Sequence, residues 1–149
     1  MSNAAAPELS LLSTAPNGLR YLTANDWALI ADKATRVRFK KGERILQAGK
    51  QPAGVYLILK GSAKVHIAAA TSAPALGPGE VCGEMSFLED ARASASVVAE
   101  DAVEAYLVDR ATLQSLFELF PHLASRFYRS LAMNLSRRLR DVITPGSLR

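Results

Sequence analysis

The residues with the clearest chemistry lie between Gly79 and Ala99: Gly-Glu-Val-Cys-Gly-Glu-Met-Ser-Phe-Leu-Glu-Asp-Ala-Arg-Ala-Ser-Ala-Ser-Val-Val-Ala. Two Gly-Glu pairs, a short apolar turn, one arginine and a run of small residues predict a strand, a one-turn helix and a second strand. Such an arrangement can cradle a phosphate. Gly83 puts no side chain in the way of the turn at 84–88, so the first unpaired N–H groups of that turn can face an anion. Arg92, near the far end, is the candidate countercharge.

Other chemistries are less well provided for. Acid–base work near neutral pH would fall to His66 and His122, the two histidines of the chain. His66 alternates with Val65 and Ile67 and should project from the opposite strand face, while His122 follows Pro121 at the start of a helix. No serine or cysteine nucleophile motif accompanies either, so catalysis is not expected. The single cysteine, Cys82, rules out an intramolecular disulfide and a multi-cysteine zinc site, and no metal is expected. Between Val81 and Gly83 it should point into the core as a small apolar group.

These residues need a scaffold, and the chain is long enough for one. At 149 residues, 49% hydrophobic and 21% charged, it can bury the core of one compact domain. A net charge of +4 and a pI near 9.5 are too mild to establish a nucleic-acid binder. No stretch approaches the roughly 20 uninterrupted apolar residues of a membrane span, and no signal peptide is evident at the N-terminus. A cytoplasmic protein with no membrane partner is the expectation.

In chain order, residues 1–22 read as a flexible N-terminal segment, with short apolar clusters at 9–13 and 18–22 set against the domain as turns. Thr23-Ala24-Asn25-Asp26 is a polar cap ahead of apolar residues at helical spacing, which predicts a short helix over 25–34 in which Trp27 packs inward. From Thr35 the period drops to two. Val37 and Phe39 alternate with cationic residues, and further strands are predicted at 44–46, 55–59, 63–68, 95–99 and 103–108, separated by glycine turns. The Ala/Thr/Ser/Pro run at 68–75 reads as a loop. Asp109 should cap a helix carrying Leu113, Leu116, Phe117 and Phe120, and a longer helix from His122 to about Ile143 repeats leucine or phenylalanine at 123, 127, 131, 135 and 139.

Gly83-Glu84-Met85-Ser86-Phe87-Leu88, followed by Arg92 and Ser94-Ala95-Ser96-Val97, resembles the phosphate-binding cassette of cyclic nucleotide-binding domains of the catabolite activator and regulatory-subunit type. Gly42, Gly49, Gly61 and Gly79, with Tyr56, Ile58 and Val65, extend the resemblance from about Lys40 to Asp109. It implies a mainly β fold with flanking helices: a double-stranded β-helix (jelly-roll) barrel over about 35–109, a short N-terminal helix and long C-terminal helices over about 110–143, within a domain spanning 23–143 and followed by a tail at 144–149. It also implies cyclic AMP or cyclic GMP as ligand. Glu84 would take the ribose 2′-hydroxyl, an arginine would pair with the cyclic phosphate, and the small residues after it would let backbone N–H groups approach. The implied ligand-binding set is Gly83, Glu84, Met85, Ser86, Arg92, Ala93, Ser94 and Ala95.

One departure stands out. With Ser94-Ala95-Ser96 laid on the family's small segment, the arginine column falls on Ala93, and Arg92 sits one place early. Either Arg92 reaches the pocket and a cyclic-nucleotide sensor follows, or Ala93 points in and the domain is a degenerate one kept for protein contacts or dimerisation. The apolar stripe of the 122–143 helix needs a partner surface, so the alternatives are a helical homodimer and a helix folded wholly on its own barrel. Regulators of this class that bind DNA append a helix-turn-helix domain, and the six residues after Ile143 do not make one. The expectation is a stand-alone domain that does not bind DNA by itself and signals to an unidentified effector protein.

Overall fold

The computed structural model describes residues 14–67 and 74–143. Helix α1 (Ala24–Lys33) leads into strands β1 (Thr35–Phe39), β2 (Arg44–Leu46), β3 (Gly54–Lys60), β4 (Ala63–His66), β5 (Ala75–Leu76) and β6 (Val81–Cys82). Helix α2 (Glu84–Glu89) interrupts the strands, which resume with β7 (Ser96–Ala99) and β8 (Val103–Asp109). Helices α3 (Arg110–Leu119) and α4 (Pro121–Ile143) close the domain. The strands form two four-stranded antiparallel sheets, in the orders β1-β8-β3-β6 and β2-β7-β4-β5. This is the expected jelly roll with flanking helices, built as two facing sheets and not closed into a barrel.

The first sheet lies between two cores, which explains why β3 reads as a continuous apolar run. Successive side chains of a strand point to opposite faces. Val55, Leu57 and Leu59 therefore join Trp27, Val108, Leu113 and Phe127 in a core shared with the helices. Tyr56 and Ile58 join Val97, Ala99 and Ala105 in a core between the sheets. At about 25 cal/mol per Å² of apolar area removed from water, a strand buried on both faces contributes more than one with a solvated face.

Local chemistry sets the helix boundaries. Thr23 and Asp26 form a reciprocal capping box: the Asp26 N–H donates to Thr23 Oγ1 at 3.1 Å and the Thr23 N–H donates to Asp26 Oδ2 at 2.9 Å, satisfying two end groups that would otherwise be orphaned. Asp109 caps α3 by accepting from the Thr112 N–H at 2.9 Å. Helix α4 starts at Pro121, one residue before the expected His122, because proline is suited to a first helical position where no N–H is required.

The flexible segment expected over 1–22 is described from Thr14 onward, and there it belongs to the core: Leu19 and Leu22 are buried. The expected strand end at Ala68, most of the loop at 68–75, the apolar cluster at 9–13 and the tail at 144–149 lie outside the described residues. Ile67, expected to share a face with Val65, is exposed instead. Among the described residues no helix is long and apolar enough to cross a membrane.

Candidate functional site

The cassette begins on β6, where Val81 and Cys82 pair with Leu57 and Tyr56 of β3. Gly83 then turns the chain at a φ of 85°. A Cβ there would stand 2.7 Å from the Gly54 carbonyl oxygen, so both the left-handed backbone and the space require glycine. Helix α2 follows and ends at Asp90, in the left-handed conformation at φ 52°. Arg110, not singled out in the sequence, secures that end: its Nη2 donates to the Phe87 carbonyl at 3.1 Å and lies 3.4 Å from Asp90 Oδ1, where a cation complements the helix C-terminus.

The segment after α2 is pinned to the loop after β2. The Ala93 N–H donates to the Lys50 carbonyl at 2.9 Å, and the Ala93 carbonyl accepts from the Gly49 N–H at 2.8 Å. Held by both backbone groups, Ala93 is 7% exposed and forms part of a cavity wall. Arg92 beside it is exposed, lines no part of that cavity, and makes no ion pair with any described residue.

The cavity measures about 110 Å³ within a cleft of about 500 Å³ that includes its open mouth. Its apolar wall includes Leu46, Val65, Leu76 and Val97, and the cassette supplies Gly83 through Ser86 and Ala93 through Ala95. The structure thus brings together seven of the eight expected positions and leaves Arg92 outside. The physical reason is the one-residue offset: the backbone bonds to Lys50 and Gly49 set Ala93, and not Arg92, in the cavity wall.

Helix α4 supplies a further residue. Arg138 lines the cavity, with its Nη1 3.7 Å from Glu84 Oε2. The helix is held there by polar contacts from an N-terminal strap. Tyr21 N–H donates to Ser130 Oγ at 3.0 Å and Asn134 Nδ2 donates to the Gly18 carbonyl at 3.0 Å. Arg137 donates to the Pro16 carbonyl and, at 2.9 Å, to Asn134 Oδ1. A periodicity of 3.6 carried along α4 from Leu123 would have pointed to these positions.

Burial pushes the Glu84 carboxyl above its ordinary range, while its own backbone N–H and the Arg138 guanidinium pull the other way. Burial, with a smaller push from the Glu84 charge, also drives the Cys82 thiol well up, so Cys82 stays protonated and is no nucleophile. His66 and His122 are both exposed. No group of three or more His, Cys, Asp or Glu among the described residues could hold a metal ion.

Residues 36–119 match the family described as cyclic nucleotide-binding domain. The chain is 30% identical over 135 residues to cyclic GMP-binding protein C of Dictyostelium discoideum, covering 79% of this chain and 5% of that protein. It is 30% identical over 121 residues to glutaminase 2 of Bradyrhizobium diazoefficiens, covering 81% of this chain and 19% of that one. With the cyclic AMP receptor protein of Thermus thermophilus it shares 33% identity over 107 residues, 69% of this chain and 48% of the relative. The chain therefore spans less than half of each of these relatives. The crystal structure of the Thermus thermophilus catabolite activator protein superposes with a TM-score of 0.72 at 28% identity, over 90% of this chain and 62% of that one. A cyclic nucleotide-binding domain from Methylobacillus flagellatus KT gives a TM-score of 0.73 at 22% identity, over 85% of this chain and 75% of that one, a likeness of fold.

Proposed function

We propose, from the premise that this chain belongs to the cyclic nucleotide-binding domain family, that it is a regulatory module whose cassette cavity takes cyclic AMP or cyclic GMP. One observation carries this reading: the cassette walls an open cavity with a buried carboxylate, Glu84, at 7% exposure and within reach of a cation. A carboxylate so placed accepts a sugar hydroxyl, and Ser86, Ser94 and Ala95 line the same space. The module senses and does not catalyse; its setting is the cytoplasm, and an effector protein reads it. Similarity to part of a glutaminase fits a regulatory segment attached to a catalytic one.

Titration calorimetry with each nucleotide tests this. Binding in the micromolar range, weakened at least tenfold by Glu84→Ala (about 1.4 kcal/mol), is the expected result. No heat from either nucleotide at millimolar concentration would overturn it.

A second reading is favoured by a specific observation, the placement of Ala93 in the cavity wall with Arg92 outside. On this reading the domain no longer binds nucleotide and works through protein contacts. Met133, Leu139, Val142 and Ile143 are exposed on α4, a surface suited to a homodimer through the 122–143 helix. Sedimentation at micromolar protein distinguishes a dimer from a 16.0 kDa monomer.

A further inference from the structure

Two formal charges line the cassette cavity, the Glu84 carboxylate and the Arg138 guanidinium. Their separation of 3.7 Å is beyond hydrogen-bond distance, and Arg138 makes no hydrogen bond to any described residue. Its planar fork of donors therefore has no hydrogen-bond partner among the described residues, and it lies at 39% side-chain exposure on the cavity side of α4. Three other arginines near the cassette or on α4 are engaged or turned away. Arg110 is bound to the Phe87 carbonyl and Asp90, Arg137 to Pro16 and Asn134, and Arg92 lies outside.

An anionic ligand would place a second negative group beside Glu84 in a space of about 110 Å³. Two like charges there, with no cation, are strongly unfavourable. A guanidinium meets a phosphate with two parallel N–H donors, and Arg138 is the guanidinium positioned to do so. We propose that Arg138 is the cation this cavity offers to the ligand's phosphate, so that the countercharge missing at Ala93 is carried by the long helix and not by the cassette. This rests on the reading that the cavity takes a cyclic nucleotide. Binding then exchanges the Glu84–Arg138 pair for an Arg138–phosphate pair, frees Glu84 for a sugar hydroxyl, and ties the C-terminal half of α4 to the cassette.

The test is calorimetry on the whole chain with four probes: cyclic AMP, cyclic GMP, and the uncharged nucleosides adenosine and guanosine. Arg138→Gln should weaken the cyclic nucleotides at least tenfold, about 1.4 kcal/mol, while leaving the nucleosides within about twofold. Arg92→Ala should leave all four within about twofold. Adding Ala93→Arg to Arg138→Gln should return most of the lost affinity, which a purely structural role for Arg138 would not allow. If Arg138→Gln binds cyclic nucleotides as tightly as the native chain, or loses nucleotides and nucleosides equally, the inference fails and the cyclic-nucleotide reading survives. If the native chain gives no heat with any of the four, that reading fails and takes the inference with it.

Discussion

Two arginines of helix α4 meet carboxylates of the body of the domain, and the two contacts differ in kind. Near the N-terminal end of the helix Arg126 grips Asp26 with two hydrogen bonds, Nε to Oδ2 at 2.6 Å and Nη2 to Oδ1 at 2.9 Å. Asp26 is 2% exposed and also serves the α1 capping box. Near the other end Arg138 meets Glu84 through one contact at 3.7 Å. The first pair is a closed unit in which both carboxylate oxygens are occupied, and a bidentate geometry of this kind resists exchange. The second leaves donors and acceptors unfilled beside a cavity. The difference teaches that one end of the helix is a fixture and the other is available to a ligand.

The sharpest way to break this comparison is Asp26→Ala, which removes the acceptor of three hydrogen bonds, one of them half of the capping box. It should destabilise the fold by on the order of 3 kcal/mol, lowering the thermal midpoint by roughly 6–12 °C for a chain of this size. If the midpoint instead falls more for a substitution at Glu84, the assignment of fixture and exchangeable end is reversed. Gly83→Ala comes next. With a φ of 85° and the Gly54 carbonyl 2.7 Å from the added methyl, it should cost about 2 kcal/mol and distort the cassette, giving a lower midpoint together with loss of nucleotide binding.

Acid separates the two ends by sign. Arg126 first, and then the Thr23 N–H, hold the Asp26 carboxyl below its ordinary value of 3.8. Its stabilisation is present above about pH 4 and is lost as pH falls through the lowered folded value. The Glu84 carboxyl is raised above 4.5 by burial, so the fold disfavours its charged form, and stability rises as pH falls through that raised value. Urea unfolding between pH 7 and pH 3 should therefore show a maximum on the acid side of neutrality. Glu84→Gln should remove the rise, and Asp26→Asn should remove the fall. A native profile that declines steadily from pH 7 would contradict the environment assigned to Glu84.

The fixed end was more legible in the sequence than the exchangeable one. Thr23 and Asp26 announced a cap, and alternation of Val37 and Phe39 with charged neighbours announced a strand. The glycine-punctuated runs after Lys40 announced a series of short strands. These are local signals, read within one element. The long helix was read on a strict four-residue repeat, which rotates about 40° per step at 3.6 residues per turn. By Leu139 that stripe has drifted off the inner face, and the residue is 57% exposed. The true inner face runs through Leu123, Phe127, Ser130, Leu131 and Asn134 and on to Arg138 at the cavity. Arginines on the other faces of that helix are partly structural: Arg129 lies 4.2 Å from the Tyr21 ring centroid. The offset between Arg92 and Ala93 was visible in the sequence, but the origin of the replacement cation was not, because it depends on how a distant helix is phased and strapped.

The two smallest expected effects sharpen the contrast most cleanly. Glu84→Gln replaces a buried, weakly paired carboxylate by a neutral group of the same shape, so it should change stability at pH 7 by less than about 1 kcal/mol, in the stabilising direction. The opposite sign would mean that the pair at 3.7 Å holds α4 as firmly as Asp26 does. Arg92→Ala should do still less. That side chain is exposed, lies outside the cavity and has no ion-pair partner among the described residues, and surface substitutions of this kind stay within about 0.5 kcal/mol. Thermal midpoints indistinguishable from the native chain are expected, alongside unchanged nucleotide affinity. A measurable loss of affinity in Arg92→Ala would require the segment after Asp90 to re-register by one residue when ligand arrives. The Ala93 bonds to Lys50 and Gly49 would then have to break, and hydrogen exchange at the Gly49 and Ala93 amides would report it.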